Sequence, residues 1–249
     1  MSDLILDIGE KRYAAVGAAP EHVALKDLHV TVRHGEFVCL LGPSGCGKTT
    51  LLNIVSGLDR DYDGRVSLPS VAERGEAVIG YVFQTARLLP WRSVAENIEL
   101  VLKPEQIASG VVEELLAATG LSKFRDAYPQ RLSIGMGRRV ALARAFAVQP
   151  DLLLLDEPFA SLDEETAQRL RVLLLEIWRT RPTTVLFVSH NLREAIFVAD
   201  RILLLSGSPG TLLTDIAVNL PRDARVRPAE IEAYRERLIR ENPEVYRGL

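Results

Sequence analysis

Cysteine is nearly absent from this 249-residue chain, with Cys39 and Cys46 as its only two. One falls in a run of strand type and the other in a glycine-rich loop. They form neither a disulfide framework nor a metal-ligand spacing, and a reducing cytoplasm fits. Cys46 stands beside Lys48 at an expected helix start, a setting that can activate a thiol; a small residue accommodated in the loop is the simpler reading. Long apolar runs are also lacking. The longest, such as Leu152–Leu155 and Val185–Val188, are far too short to span a bilayer. Leu4–Ile8 is interrupted by Asp7, so no secretory signal is expected at the start of the chain. A membrane role therefore has to run through a partner. Charge of one sign is lacking too: 30 basic and 33 acidic residues leave a net charge of −3, which implies no nucleic acid or other polyanion as partner. The chain shows no internal repeat and no low-complexity segment.

Against these absences, residues 42–50 read Gly42-Pro43-Ser44-Gly45-Cys46-Gly47-Lys48-Thr49-Thr50, a complete G-x-x-x-x-G-K-[ST] phosphate loop. Phe37–Leu41 before it is a strand-like apolar run. Thr49–Ser56 after it reads as a helix with Gly57 placed to cap it. Strand, glycine loop and helix in that order give the motif its meaning. The glycines let successive N–H groups turn inward, and the helix N-terminus adds positive potential. Lys48 can reach β- and γ-phosphates and the Thr49 hydroxyl can ligate Mg²⁺, so the expected ligand is a nucleoside triphosphate.

Four more segments read as strands buried on both faces of a parallel sheet: Ala77–Phe83, Leu152–Leu155, Thr184–Val188 and Ile202–Leu205. Helix-like segments between several of them argue for an α/β fold. Gly42, Gln84, Asp156, Glu157 and His190 then fall at C-terminal strand ends, the edge where open α/β sheets bind ligands. Residues 3–35 and 64–72 read as short strands with turns at Gly9, Gly35 and Asp63-Gly64, a small antiparallel layer. Residues 86–147 break the strand rhythm. There Glu105–Thr119 reads as one helix stopped by Gly120, and Gly135–Val148 as another, which makes an inserted helical lobe. Pro228–Asn242 reads as an amphipathic helix with Ile231, Tyr234 and Leu238 on one face.

Leu152–Leu155 delivers two carboxylates. Behind a phosphate loop, Asp156 suits Mg²⁺ and Glu157 suits the polarisation of an attacking water. His190 leaves its strand at the same edge, within reach of a γ-phosphate. His22, His29 and His34 have no such company. Ser133 is placed to N-cap the helix carrying Arg138, Arg139 and Arg144, whose start is a second anion site; alone it would be an ordinary capped helix.

Taken together these segments resemble the ATP-binding subunit of ABC transporters, over about Leu4 to Leu213. Gly42–Thr50 matches the family's Walker A, Gln84 its Q-loop, and Leu152–Glu157 its Walker B with catalytic glutamate. Ser161-Leu162-Asp163 matches the D-loop and His190 the switch histidine. Phe83-Gln84 with Arg87-Leu88-Leu89-Pro90-Trp91, then Asp156-Glu157-Pro158-Phe159, is similar to the nitrate/sulfonate/taurine importer branch. The resemblance implies one ABC-type ATPase domain over 1–249, with a P-loop NTPase core and β layer in 1–85 and 148–220. The helical lobe is then 86–147 and the C-terminal tail 221–249. It implies ATP and Mg²⁺, the metal held by Thr49, Gln84 and Asp156, with Tyr13 stacking on adenine and Glu157 and His190 catalytic. It further implies two copies of the chain head to tail, each ATP meeting Ser133, Gly135, Met136 and Asp163 of the other copy. The implied partners are integral-membrane permease subunits and, indirectly, a periplasmic or extracellular solute-binding protein. The implied place is the cytoplasmic face of the cell membrane, peripherally bound. The signature departs from Leu-Ser-Gly-Gly at Ile134, and the residue two past Met136, commonly Gln, is Arg138.

Two rival readings predict other features. A non-transport ABC-type switch would carry a coiled-coil insertion, a second ATPase domain or a basic surface, and the sequence has none. A signalling GTPase would carry Asn-Lys-x-Asp, which is absent, and neither it nor a small-molecule kinase has a use for the Ser133–Met136 element. The apolar connector Leu88, Leu89 and Trp91 either packs the lobes together or docks a membrane partner.

Overall fold

Three of the runs without polar alternation become strands buried at every position, and around them the remaining elements are arranged. The computed structural model describes residues 2–15, 17, 20–68, 77–243 and 246. In chain order the strands are β1 (Leu4–Tyr13), β2 (His22–Val32), β3 (Phe37–Leu41), β4 (Asp63–Ser67), β5 (Ile79–Val82), β6 (Leu152–Asp156), β7 (Thr184–Ser189), β8 (Arg201–Leu205) and β9 (Leu212–Ala217). The helices are α1 (Lys48–Val55), α2 (Val94–Glu99), α3 (Pro104–Ala108), α4 (Val111–Ala118), α5 (Ile134–Ala147), α6 (Glu164–Thr180), α7 (Leu192–Val198) and α8 (Pro228–Glu241). The chain forms two compact units, Met1–Glu76 with Thr184–Leu249, and Ala77–Thr183.

In the first unit β7, β3 and β8 run parallel, and β9 closes β8 antiparallel. Every residue of β3 and β7 is buried, as expected of parallel strands covered on both faces. Leu41 registers with Ser189, so the loop after β3 and the turn after β7 emerge side by side. A second sheet, β2-β1-β4, is antiparallel throughout. Along β1, Leu4, Leu6 and Ile8 point inward, then a register irregularity between Ile8 and Glu10 shifts the alternation. Because side chains alternate with period two, that one-residue slip turns Lys11 into the interior.

The turns expected at Gly9 and at Asp63-Gly64 are not formed: both glycines lie inside strands. Gly64, at φ 124°, sits where a Cβ would stand 2.1 Å from the Asp7 carbonyl, so glycine is needed there for close approach of two strands. Gly35, at φ 74°, does lie in a turn. The expected β layer also extended over 69–72, which lie outside the described residues. In the same unit α8 buries Ile231, Tyr234 and Leu238, as its periodicity predicts, and packs on α7. Buried Arg225 ties the approach to α8 in place, donating to the carbonyls of Ala199, Val218 and Leu220.

In the second unit β5 and β6 pair in parallel with Val82 opposite Leu155. Helix α5, Ser133-capped as expected, is its centre and packs on α2, α4, α6 and β5. The single helix expected over Glu105–Thr119 is two, α3 and α4. Gly110 adopts φ 83°, a left-handed conformation that stops one helix and starts the next. Gly120, at φ 68°, ends α4 as its position suggests.

The phosphate loop leans on the 206–211 turn in the first unit. Gly210 N donates to the Ala24 carbonyl at 2.9 Å, and a Cβ at Gly210 would lie 2.1 Å from the Cys46 carbonyl oxygen. Gly210→Ala must therefore displace the loop backbone, at a cost of about 1–3 kcal/mol. We expect a melting temperature lower by roughly 2–10 °C, together with weakened nucleotide binding. Unchanged melting and affinity in differential scanning fluorimetry and nucleotide titration would show that the loop does not rest on this turn.

Candidate functional site

The loop between β3 and α1 takes its shape from glycines that a side chain would block. Gly45 (φ 81°) and Gly47 (φ 90°) are left-handed, and a Cβ on Gly47 would meet the Ala24 carbonyl at 2.7 Å. Gly47 serves as the N-cap of α1 without a side-chain cap bond, so the positive end of the helix faces the loop with no capping side chain. Lys48 is buried, and its Nζ donates to the carbonyls of Gly42 (2.7 Å) and Pro43 (2.8 Å) and approaches Cys46 Sγ at 3.6 Å. The arrangement is a tight glycine loop with one buried ammonium at a helix start, and its chemistry fits a polyphosphate chain. Cys46 is fully buried, in keeping with the reading of a small residue that fits the loop. Burial, with Glu194 nearby, pushes the Cys39 thiol far up.

Tyr13 lies on the same unit with its ring 42% exposed. Its hydroxyl reaches Thr50 Oγ1 (3.3 Å) and Asp59 Oδ2 (3.4 Å), and the Lys11 ammonium stands 4.6 Å from the ring centroid. Lys11 itself is paired with Asp59 at 3.0 Å and donates to the Asp61 carbonyl at 2.5 Å. The sequence pointed to Tyr13 as an aromatic but held no sign of Lys11 and Asp59, which fix it against the phosphate-loop helix. His190 is exposed at the end of β7. The turn that presents it is tightly held: Ser189 Oγ donates to Glu194 (2.7 Å) and accepts from Asn191 N (3.0 Å), while Asn191 caps α7.

The second unit gathers the other candidates. Asp156 is buried at the end of β6 and pushes up the pKa of Tyr81, a phenol already raised mainly by its own burial. Glu157 follows at φ 43°, a left-handed conformation rare for a residue with a side chain, and Ser161 repeats it at φ 63°. Gln84 is exposed and, since Val82 registers with Leu155, leaves the sheet at the same edge as Glu157. Ser133 accepts from Met136 N (3.2 Å), and accepting leaves its own O–H as a donor. Gly135 packs so closely that a Cβ would lie 2.7 Å from Thr166 Cγ2. Asp163 caps the same α6 turn by accepting from Thr166 N (2.9 Å), a bond that holds its carboxyl below the usual range. Ser133, Gly135, Met136 and Asp163 therefore form one corner of this unit. Ile134, the departure from the glycine pattern, is 66% exposed at the first position of α5.

The Thr49 hydroxyl on the first unit, and the Gln84 amide oxygen and Asp156 carboxylate on the second, are each hard oxygen donors of the type Mg²⁺ prefers. Among the described residues no cluster of three or more His, Cys, Asp or Glu could hold a metal by itself. In the apolar connector, Trp91 is 68% exposed and lines an open groove with Pro90, Tyr128, Gln130 and Arg131. Leu88 and Leu89 are half-buried.

A family model described as ABC transporter matches residues 25–160. The aliphatic sulfonates import ATP-binding protein SsuB of Bacillus subtilis is 38% identical over 243 residues, covering 96% of this chain and 94% of that protein. The nitrate import ATP-binding protein NrtD of a Synechocystis species is 39% identical over 223 residues, covering 88% and 84%. Among solved structures, the ATP-binding cassette MJ0796, seen as a dimer in a post-hydrolysis state bound to ADP and Pi, matches with a TM-score of 0.73 at 29% identity, covering 87% of this chain and 99% of that one. With the phosphate loop, the paired carboxylates after β6 and relatives near 40% identity over most of its length, the chain belongs to the ABC transporter family, among its ATP-binding subunits.

Proposed function

We propose that this chain is the ATP-hydrolysing motor of an importer, two copies closing head to tail on two ATP molecules and opening after hydrolysis. The observation that carries the reading is the phosphate loop closed by buried Lys48. On ATP binding Lys48 exchanges two carbonyls for β- and γ-phosphate oxygens, while the α1 N–H groups take the remaining charge. Thr49, Gln84 and Asp156 would hold Mg²⁺, which would supply positive charge to offset that of the phosphates. Glu157 orients and polarises the attacking water, and His190 donates toward the γ-phosphate. Tyr13 stacks on adenine. Ser133 O–H and the Gly135 N–H of the second copy complete the phosphate cage, with Met136 and Asp163 beside them. The γ-phosphate thus links two copies, and its loss releases them.

We assign a nitrate/sulfonate/taurine-like small solute to this system, a reading supported by relatives named as sulfonate and nitrate import ATP-binding proteins. A permease pair in the membrane and a periplasmic or extracellular solute-binding protein complete it. Among the described residues no helix is long and apolar enough to cross a membrane, which suits a subunit held peripherally at the cytoplasmic face. Exposed Trp91 is the natural anchor for a permease segment, since buried aromatic anchors dominate interface energies.

Three outcomes test the reading. Glu157→Gln should retain ATP affinity while hydrolysis drops by at least about 10²-fold. Size-exclusion chromatography should then show an ATP-dependent dimer, and full activity of this variant would remove Glu157 from the mechanism. Ile134→Gly should raise basal hydrolysis about 2–5-fold by relieving bulk and φ restriction at the closing face, with nucleotide affinity of the monomer unchanged. A fall in rate would mean that Ile134 packs productively in the closed dimer. Trp91→Glu should leave hydrolysis by the purified subunit within about twofold, since exposed substitutions rarely disturb folding. It should also abolish co-purification with the permease and uptake in membranes; normal assembly would move the docking surface elsewhere.

A further inference from the structure

The segment that carries Gln84 does not hang free between β5 and α2; it is laid along the first three turns of α5. Gly137 makes room for it: a Cβ there would stand 3.9 Å from both Ala86 Cβ and Leu88 Cδ1. Buried Arg138 sends Nη1 to the Phe83 carbonyl at 3.1 Å. Arg144 sends Nη2 to the Ala86 carbonyl at 2.9 Å and Nη1 to the Arg87 carbonyl at 3.1 Å. Main-chain oxygens on both sides of Gln84 are therefore held by one helix. The turn closes on itself as well. Arg87, in a left-handed conformation at φ 44°, folds its guanidinium 3.7 Å over the Phe83 ring, which stacks on Tyr81 at 4.0 Å and 17°.

The other end of this helix is the Ser133 cap. An α-helix is stiff over so short a span, so whatever displaces Gln84 displaces the start of α5 with it, provided the link at Phe83 holds. Burial lowers the pKa of Arg138, yet an arginine keeps its charge, and a charged donor to a carbonyl is a strong tie. Arg138 is the tie nearest Gln84 and also the nearer of the two to Ser133.

We propose that Arg138 is a positioning residue that makes Gln84 and Ser133 move as one body, so that loss of the phosphate sensed at Gln84 in one ATP site loosens the Ser133 contact in the other. The proposal rests on the head-to-tail reading above. The link makes hydrolysis in the dimer cooperative, because the start of each α5 meets one nucleotide through Ser133 and is tied through Arg138 to the segment whose Gln84 meets the other. Arg144, holding the far side of the segment, sets its fold; Arg138 carries the coupling.

The test uses the full-length subunit and ATP hydrolysis measured against ATP concentration. Arg138→Met keeps the buried stem and removes the donors. It should bring the Hill coefficient from well above 1 to about 1 and lower kcat about tenfold, with ATP affinity of the monomer within about twofold of wild type. Arg138→Lys, which restores a cationic donor, should recover the cooperativity. A merely structural arginine would give a lower melting temperature and less active protein with an unchanged Hill coefficient, and that result overturns the proposal. So does non-cooperative hydrolysis by the wild type. No hydrolysis at all by the wild type would sink the functional reading itself, a different outcome from cooperative wild-type hydrolysis that Arg138→Met leaves intact. Should Arg138→Met fail to fold, hydrogen exchange on the wild type decides. Replacing ADP by a non-hydrolysable ATP analogue should change protection at 84–88 and at 134–137 in the same direction, and a change at 84–88 alone overturns the link.

Discussion

A buried ammonium is stable only where oxygen atoms replace its lost water, and in the loop at 42–50 those oxygens are the carbonyls of Gly42 and Pro43. This requirement shapes everything near it. To bring two carbonyls to Lys48 the chain must curl within six residues, with Gly45 and Gly47 in left-handed conformations and the Cys46 N–H turned back to the Pro43 carbonyl. The curl in turn brings the loop backbone against Ala24 and Gly210, where a methyl group would not fit. The loop's shape is thus set by these contacts, and on the proposed reading the phosphates offer Lys48 oxygens of the same kind.

The same solution recurs wherever a loop of this chain must be held in one shape. Lys11 takes the Asp61 carbonyl and the Asp59 carboxylate, and so steadies Tyr13. Arg138 and Arg144 take three carbonyls around Gln84. Arg225 takes three more before α8. A cation on a carbonyl costs desolvation but brings no negative charge, so these arginines fix the chain around Gln84 and before α8 without using carboxylates. Where carboxylates are wanted, after β6, the chain uses strain instead: Glu157 and Ser161 are both left-handed, a cost of about 1–3 kcal/mol each that the surrounding packing must sustain.

Much of this was legible in the residues. Continuous apolar runs marked β3, β5, β6, β7 and β8 to within two or three residues, because strands buried on both faces need no polar alternation. The phosphate loop, the cap at Ser133 and the buried face of α8 depend on local spacing and could be read directly. What escaped depends on distant partners. Gly9 and Gly64 suggested turns, but they serve two strands that approach each other from opposite ends of the first 70 residues. Gly110 divides a helix that periodicity alone would continue. The arginines of α5 stood out in the sequence, yet nothing local says that two of them reach back more than fifty residues to carbonyls around Gln84. A donor's target is a main-chain oxygen, which has no letter in the sequence.

The connector beyond Gln84 shows the same principle applied a second time. Asn97, fully buried on α2, shares the two N–H groups of Nδ2 among the carbonyls of Leu89 (3.2 Å), Arg92 (3.0 Å) and Ser93 (2.9 Å) and accepts from Leu89 N at 2.8 Å. Contacts from one amide to three residues leave 89–93 little freedom, just as the α5 arginines leave little to 83–87. Trp91, exposed within this second clamp, is therefore joined to Gln84 through a segment whose backbone is held at both ends. Flexible connectors dissipate a displacement in dihedral changes, whereas a clamped one transmits it. Stiffness between the proposed phosphate sensor and the proposed partner surface is thus supplied by side chains of α2 and α5, helices of the same compact unit. The polar residue Asn97, buried at a position where an apolar one would pack as well, is explained by what it holds.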